Sequence, residues 1–150
     1  MIYSLLLNLL LASTLTFHIP TSSCSSLPVA EEEVRVSRTF ERVPEKNQYL
    51  VTVLIHAEGK SGFGRFTEFL PPGVIVNVVE SGAASVNISA EKLKFIWVSL
   101  PEVAQLKVSY TIVFPENKLV MYYRGEFSYV FNKGAQIYKL QPKDLKLIGE

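Results

Sequence analysis

The chain has 150 residues and a formal net charge of +1, which suits one domain with a hydrophobic core and is too short for two independent cores. Its fifteen basic residues are scattered along the sequence, so it lacks the basic stripe of a nucleic-acid binder. With a single cysteine it forms no intrachain disulfide, and the domain must be stable on its core alone.

The first thirty residues contain no Lys, Arg, Asp or Glu, and they open with the apolar run MIYSLLLNLLLASTLTF. This pattern is typical of an export signal removed here after Ala30, although no positive charge precedes the run; a membrane anchor or a buried helix are the alternatives. Cys24 follows the run where a lipoprotein would be acylated, but Thr21, three places upstream, is not the usual bulky aliphatic residue. The sequence therefore predicts a signal segment over 1–30 and an exported domain over 31–150, which is periplasmic, on the cell surface or secreted.

Apolar residues recur at every second position from Val34 onward, and stripes with the period of a helix are missing. The clearest strands are YLVTVLIH, KLKFIWVSL and QLKVSYTIVF, each with one dry face. Less regular strands are predicted at 34–40, 63–70, 74–80, 84–89, 118–131 with a break at Gly125, and 135–140. About eight or nine short strands separated by turns predict an all-β antiparallel sandwich.

The segment GRFTEFLPPGVIV changes character at Pro71, Pro72 and Gly73. The two prolines have no backbone N–H and cannot continue a sheet ladder, and glycine supplies a positive φ. We expect a corner here, where the chain leaves one sheet edge and begins a new strand at Val74.

The order of these features carries a family resemblance. YLVTVLI, EFLPPGVIVNVVESGA, LKFIWVSLPE and LKVSYTIVFP resemble the Ig-like β-sandwich domains of bacterial and archaeal cell-surface proteins, and more closely small secreted domains from Bacteroidota. Cohesin-like modules are more distant. The resemblance covers residues 33 to 140 and implies a sandwich fold and an external location, with no catalytic residues. Such domains usually occur in tandem, whereas this chain has one copy.

Two glycine motifs fail as nucleotide-binding loops. The GKS at Gly59 would need a glycine five positions earlier, where the chain has Leu54, and GFG at Gly62 has Thr67 in place of its third glycine. A glycine-rich hairpin turn explains both. The sequence therefore predicts no cofactor.

Catalytic and metal-binding groups are sparse in the predicted mature chain, which has one histidine, His56, and one aspartate, Asp144. His56 is expected to end a strand at the surface, without the neighbours that nucleophilic catalysis needs. Glu68 and Glu80 flank the proline corner and could serve as a carboxylate pair, but we expect ordinary surface glutamates. No ligand set for calcium or zinc is present, so we predict no metal site and no enzyme.

Exposed aromatic residues are the one positive signal for binding. Tyr122 and Tyr123 are consecutive, so in a strand they point to opposite faces. Together with Tyr129, Tyr138 and Trp97 they could form a platform for sugar rings, or most of them could complete the core.

Two functions are compatible with these observations. The first is a non-catalytic module that binds another protein, with the VRVSRTF strand and the final strands around Tyr129 and Tyr138 as edges that accept a partner strand. The alternative is a carbohydrate-binding module that uses Tyr122, Tyr123 and Trp97. Contact with a membrane is expected only through the signal segment or a lipid on Cys24.

Overall fold

The computed structural model describes residues 33–44, 47–115, 120–131 and 134–146, all within the unit Glu31–Glu150. The predicted signal segment and Cys24 lie outside these residues. The described part contains strands and connecting turns, and none of its segments is a helix long and apolar enough to cross a membrane. The strands are β1 (Arg35–Val43), β2 (Gln48–His56), β3 (Gly64–Phe69), β4 (Ile75–Glu80), β5 (Ser85–Ile88), β6 (Lys92–Trp97), β7 (Gln105–Val113), β8 (Val120–Phe131), β9 (Gly134–Lys139) and β10 (Lys143–Lys146).

The strands form two antiparallel sheets, as predicted. One sheet has four strands in the order β1-β2-β7-β4. The other has the order β10-β8-β3-β6-β5, with β9 also paired to β8. We call them the four-stranded and the six-stranded sheet.

The core lies between the inner faces of the two sheets. Alternate residues of the three clearest predicted strands are buried, as the two-residue period requires. Phe95 and Tyr110 meet across the interface with ring centroids 6.0 Å apart. The largest wholly buried apolar and aromatic side chains are Trp97, Tyr110, Tyr123, Phe66, Phe95, Phe127, Ile55, Leu93 and Ile112.

The proline corner ends one strand and precedes the next as predicted, but the strand that it ends is not at a sheet edge, because β3 lies between β8 and β6. β3 ends at Phe69 in the six-stranded sheet, and the next strand, β4, begins at Ile75 in the four-stranded sheet. Between them Gly73 has a φ of 82°, which an L-residue adopts only with strain. The segment therefore carries the chain from one layer to the other.

The end of the chain differs from the prediction in two ways. β8 runs unbroken past Gly125, whereas a break was expected there, and β10 is an additional strand. The interruption lies instead in the strands that pair with β8 at the edge of the sheet, β9 and β10. Lys139 pairs with Glu126 and Lys143 pairs with Tyr123, so the three residues 140–142 face only two residues of β8. One extra residue thus separates β9 from β10, as in a β-bulge.

A tight turn between β4 and β5 supports the single tryptophan. Gly82 and Ala83 both have positive φ, at 56° and 61°, and the Ala84 N–H donates to the Ser81 carbonyl at 3.0 Å. These features match a type I′ turn. The Trp97 Nε1–H donates to the Gly82 carbonyl at 2.7 Å, so the turn satisfies the only polar group of a buried side chain.

Exchanging glycine and alanine at this turn tests its backbone geometry. In Gly82→Ala the new Cβ would lie 2.5 Å from the Lys107 carbonyl oxygen, so we expect the free energy of unfolding to fall by about 2 kcal/mol or more. Ala83→Gly removes the strain of an alanine with positive φ and should raise the free energy of unfolding by about 0.5 kcal/mol. Urea unfolding of both variants measures the two changes. Equal effects, or effects of reversed sign, would contradict this geometry.

Candidate functional site

A cleft lies where one edge of each sheet meets the other. It has a volume of about 520 Å³ and lies between β1 and the link that joins β9 to β10. We call it the edge cleft. It is lined by Val36, Arg38, Thr39, Phe40, Tyr138, Lys139, Leu140, Gln141, Pro142 and Lys143.

A buried charged pair lies at this edge of the core. The Arg38 side chain points inward from β1, between Val36 and Phe40 on the same face, and it is only 3% exposed. One of its nitrogens, Nη1, donates to Glu68 Oε1, and Nη2 donates to the Gln141 carbonyl at 3.0 Å. The guanidinium also lies 4.9 Å from the centre of the Phe40 ring. Arg38 therefore connects β1 with both β3 and the link that follows β9.

Glu68 is completely buried, which corrects the expectation that it is a surface glutamate. On β3 it shares the inner face with Gly64 and Phe66, because the period of two places these three on one side. Its second carboxylate oxygen, Oε2, accepts a hydrogen bond of 2.7 Å from the Tyr110 hydroxyl. Both donors to Glu68 come from the four-stranded sheet, so the carboxylate joins the two layers. Glu80 is exposed and pairs with Lys107 at 3.0 Å.

Gly125 leaves space for this pair. It lies opposite Glu68 in the register of β8 and β3. A Cβ at this position would be 3.2 Å from Arg38 Nη1 and 3.3 Å from Glu68 Oε2, tighter than ordinary contact. The glycine in which the sequence suggested a break is thus the residue that accommodates a buried ion pair.

Burial dominates the electrostatics of the cluster. It raises the pKa of the Glu68 carboxyl above its ordinary value, while the Arg38 guanidinium and the Tyr110 hydroxyl limit the rise. Burial and then the Glu68 carboxylate raise the pKa of Tyr110 well above its ordinary value, and the same two causes raise the pKa of Tyr123. The Tyr123 hydroxyl has no hydrogen-bond partner among the described residues. Both tyrosines therefore stay neutral at physiological pH.

The aromatic residues suggested for binding do not share one surface. Trp97 and Tyr123 are buried in the core, and Tyr129 is partly buried and stacks on Phe127 at 5.6 Å. Tyr122 is exposed, on the outer face of β8. Tyr138 is partly buried and lines the edge cleft.

His56 ends β2 at the surface, as expected, with its Nε2 2.8 Å from Gln105 Nε2. Among the described residues no group of three or more His, Cys, Asp or Glu could hold a metal ion.

Sequence reasoning missed the buried pair, although one half of it left a signal. Arg38 has the same parity as Val34, Val36 and Phe40, so a charge inside an apolar stripe marks it as unusual. Glu68 left none, because both faces of GRFTEF contain a charged residue and a phenylalanine.

Comparisons with known proteins agree with the fold. No protein-family model matches the sequence, and no curated protein matches it. Among solved structures, the full-length major pilin SpaD from Corynebacterium diphtheriae matches with a TM-score of 0.61 and 15% identity, over 76% of this chain and 36% of the pilin. A GH20 exo-β-N-acetylglucosaminidase from Vibrio harveyi matches with a TM-score of 0.44 and 12% identity, over 72% of this chain and 17% of the enzyme. The chain thus spans little more than a third of the pilin, and the likeness concerns the fold alone.

Replacing Gly125 tests how tightly the buried pair is packed. We expect Gly125→Ala to lower the free energy of unfolding by about 1 to 3 kcal/mol, because the new methyl group crowds Arg38 and Glu68. Gly134→Ala in β9 is the matched control, since its Cβ would meet no atom closer than 3.6 Å. Chemical denaturation measures both variants. A loss of the same size in the control would show that the effect comes from the strand backbone and not from the pair.

The two buried tyrosines should respond oppositely to loss of the hydroxyl. Tyr110→Phe removes a donor to a buried carboxylate, and we expect a loss of about 1 to 3 kcal/mol at neutral pH. Tyr123→Phe removes a buried hydroxyl without a partner, so stability should stay the same or rise by up to about 1 kcal/mol. Thermal and urea unfolding distinguish the two. A large loss in Tyr123→Phe would contradict this account.

The same variants carry a pH signature. Both tyrosines have a pKa in the folded chain that is raised above the ordinary 10.0, so above that pH the unfolded chain releases protons that the folded chain keeps. The contribution of these two tyrosines to the free energy of unfolding is therefore fully present below pH 10. Above pH 10 it falls by about 1.4 kcal/mol per pH unit for each tyrosine. In each phenylalanine variant, the free energy of unfolding should therefore fall less steeply above pH 10 than in the parent chain, by about 1.4 kcal/mol per pH unit. Slopes equal to that of the parent chain would show that the hydroxyls titrate alike in both states.

Proposed function

We propose that this chain is a non-catalytic, exported β-sandwich module that acts through contact with another protein, as a subunit of the cell envelope or cell surface. The observation that carries the proposal is the edge cleft. Two sheet edges, β1 and the β9–β10 edge, lie side by side there and line an opening large enough for an extended segment. The resemblance of the sequence to the Ig-like β-sandwich domains of bacterial and archaeal cell-surface proteins supports this proposal.

The free edge of β1 is suited to accept a strand. β1 is nine residues long and, among the described strands, pairs only with β2, so the proposal places the partner strand along its other side. Partner strands that add to a sheet edge bind through main-chain hydrogen bonds and gain specificity from side-chain pockets. The buried Arg38 and the partly buried Phe40 hold β1 against the core, so the edge is rigid before a partner arrives.

Charge at the edge cleft indicates the chemistry of the partner. Lys139 and Lys143 line the cleft and are exposed, while the charge of Arg38 is neutralised by its ion pair with Glu68. No acidic side chain of the described residues lines the cleft. A partner segment that carries Asp or Glu is therefore favoured, because it would neutralise lysines that otherwise discourage strand addition.

The comparison with the pilin supports this proposal. A major pilin is a surface subunit, and the matched region of SpaD has the same fold as most of this chain. An external location is also supported by the charge-free apolar segment at the start of the sequence. The carbohydrate-binding alternative has less support, since Trp97 and Tyr123 are in the core and do not form a platform with Tyr122.

Site-specific photo-crosslinking tests the proposal. A benzophenone amino acid replaces Thr39, which is exposed and lines the edge cleft, in cells that make the chain natively. The matched control replaces Asn77, which is also exposed but lies on β4 at the opposite edge of the same sheet. We expect one discrete protein adduct from Thr39 and none from Asn77. Its yield should fall about tenfold in Lys139→Glu/Lys143→Glu, because an acidic partner is repelled.

Other outcomes would overturn the proposal. No protein adduct at Thr39, or equal adducts at both positions, would mean that the β1 edge is not a specific contact. A glycan array on which the chain binds, with binding lost in Tyr122→Ala, would favour the carbohydrate function instead.

A further inference from the structure

The outer face of the six-stranded sheet has an unusual order of side chains. The register of β6, β3 and β8 places their outward residues in rows across the sheet. One row contains Lys92, Phe69 and Arg124, and the next contains Lys94, Thr67, Glu126 and, on β9, Lys139. The following row contains Ile96, Arg65, Ser128 and Ile137. Beyond it the Val130 N–H donates to the Phe63 carbonyl at 3.1 Å, and Val98 directly follows the end of β6 at Trp97.

The first rows are cationic. Lys92, Lys94, Arg65, Arg124 and Lys139 share this face with a single carboxylate from the same rows, that of Glu126. Among the described residues none of the five forms an ion pair with a carboxylate within 4.0 Å. Such a concentration of one sign on a chain with net charge +1 favours an anionic surface as its partner.

Phe69 lies within the cationic rows. The Arg124 guanidinium is 4.2 Å from the centre of its ring, and Lys92 Nζ is 5.4 Å from it. These contacts hold the two cations at the face without neutralising them. Arg65 adds a cation whose Nε is buried and has no hydrogen-bond partner among the described residues.

The far end of the face carries exposed apolar side chains, of which Ile137 shares a row with Arg65. Val98 is 84% exposed, Ile137 59%, Val130 40% and Phe63 39%. Large aliphatic side chains grouped on one surface mark a site of interaction when they lie next to charged rows. Their end of the face points away from Tyr122, which lies beyond the cationic rows.

The spacing of the rows fits a membrane interface. Neighbouring rows on one face of a strand are about 7 Å apart, because two residues separate them. An amphipathic surface enters the headgroup region by about 5 to 10 Å. When the face lies along the surface, its exposed apolar side chains reach into the headgroup region, and Arg65 and the lysine row lie about 7 to 14 Å farther along the strands, beside the phosphates of neighbouring lipids.

We propose that this face docks the protein on an anionic phospholipid surface. Val98, Phe63, Val130 and Ile137 enter the interface, and the cations of the neighbouring rows contact lipid phosphates. Both halves of the face are used at once, whereas a soluble anion would need only the cations and a sugar polymer would need aromatic platforms. The inference does not depend on the proposed function. Lys139 borders both surfaces, but the variants of the face leave Lys139 unchanged, so failure of one test leaves the other intact.

Vesicle binding of matched variants tests this inference. The full chain is expressed, the exported form is purified, and its start is read by intact mass. Binding is measured with vesicles of phosphatidylglycerol and phosphatidylcholine, with vesicles of phosphatidylcholine alone, and at low and high salt. A retained leader would add the same binding to every variant, so the differences between face and control variants would still report on the face.

Two pairs of variants separate the halves of the face. Lys92→Gln/Lys94→Gln is compared with Arg42→Gln/Lys107→Gln, which removes the same charge from strands β1 and β7 of the four-stranded sheet. Val98→Ser/Ile137→Ser is compared with Ile75→Ser/Val79→Ser, which changes residues 62% and 64% exposed on β4. Unchanged circular dichroism and unfolding midpoints verify that each variant folds.

We expect the parent chain to bind the anionic vesicles, more weakly at high salt, and to bind phosphatidylcholine weakly or not at all. Each variant of the face should lose binding by about tenfold or more, and each control by less than about twofold. Absence of anionic binding, or equal losses in face and control variants, would overturn the proposal. An unaffected Val98→Ser/Ile137→Ser would also overturn it, because the cations alone would then be binding a soluble anion or an acidic macromolecule.

Discussion

The architecture depends on a carboxylate buried between two sheets. Glu68 comes from the six-stranded sheet, and both of its hydrogen-bond donors, Arg38 and Tyr110, come from the four-stranded one. A buried carboxylate without donors would cost several kcal/mol, so the two sheets must meet in the arrangement that supplies them. A shift of β3 by one residue would move Glu68 to the outer face and bring Thr67 inside, which would leave Arg38 buried and unpaired. The pair thus favours one register over its neighbours.

Two local features of the chain are explained by the buried pair of Arg38 and Glu68. Gly125 leaves room beside the pair, and the extra residue between β9 and β10 brings the Gln141 carbonyl to Arg38. The same link forms one wall of the edge cleft and β1 forms the other. The polar cluster and the cleft therefore share their elements, and a partner strand at β1 would bind an edge that the buried arginine already holds in place.

The surfaces proposed for binding are distinct in their chemistry. The edge cleft offers backbone groups flanked by Lys139 and Lys143, which suits an extended acidic segment. The outer face of the six-stranded sheet offers cations beside exposed aliphatic side chains, which suits a charged lipid surface. The two sites lie at an edge and on a face, and they meet at Lys139, which borders both. A module held on an anionic membrane would present its free edge to neighbouring proteins.

The period of two, the turn residues and the proline corner were sufficient to predict nine of the ten described strands and the main buried stripes, because these properties are set by neighbours in sequence. The sequence also marked Arg38 as a charge within an apolar stripe. It could not place Glu68, since β3 has a charged and an aromatic residue on both faces and only packing against β7 chooses between them. Nor could the sequence predict the order of the outer rows or the presence of the edge cleft, because both depend on which strands become neighbours. Sequence determined most of the strands and the inner faces of those with a clear apolar stripe. Tertiary structure decided the pairing and the face of β3, because a buried charge is satisfied only by residues brought together from far along the chain.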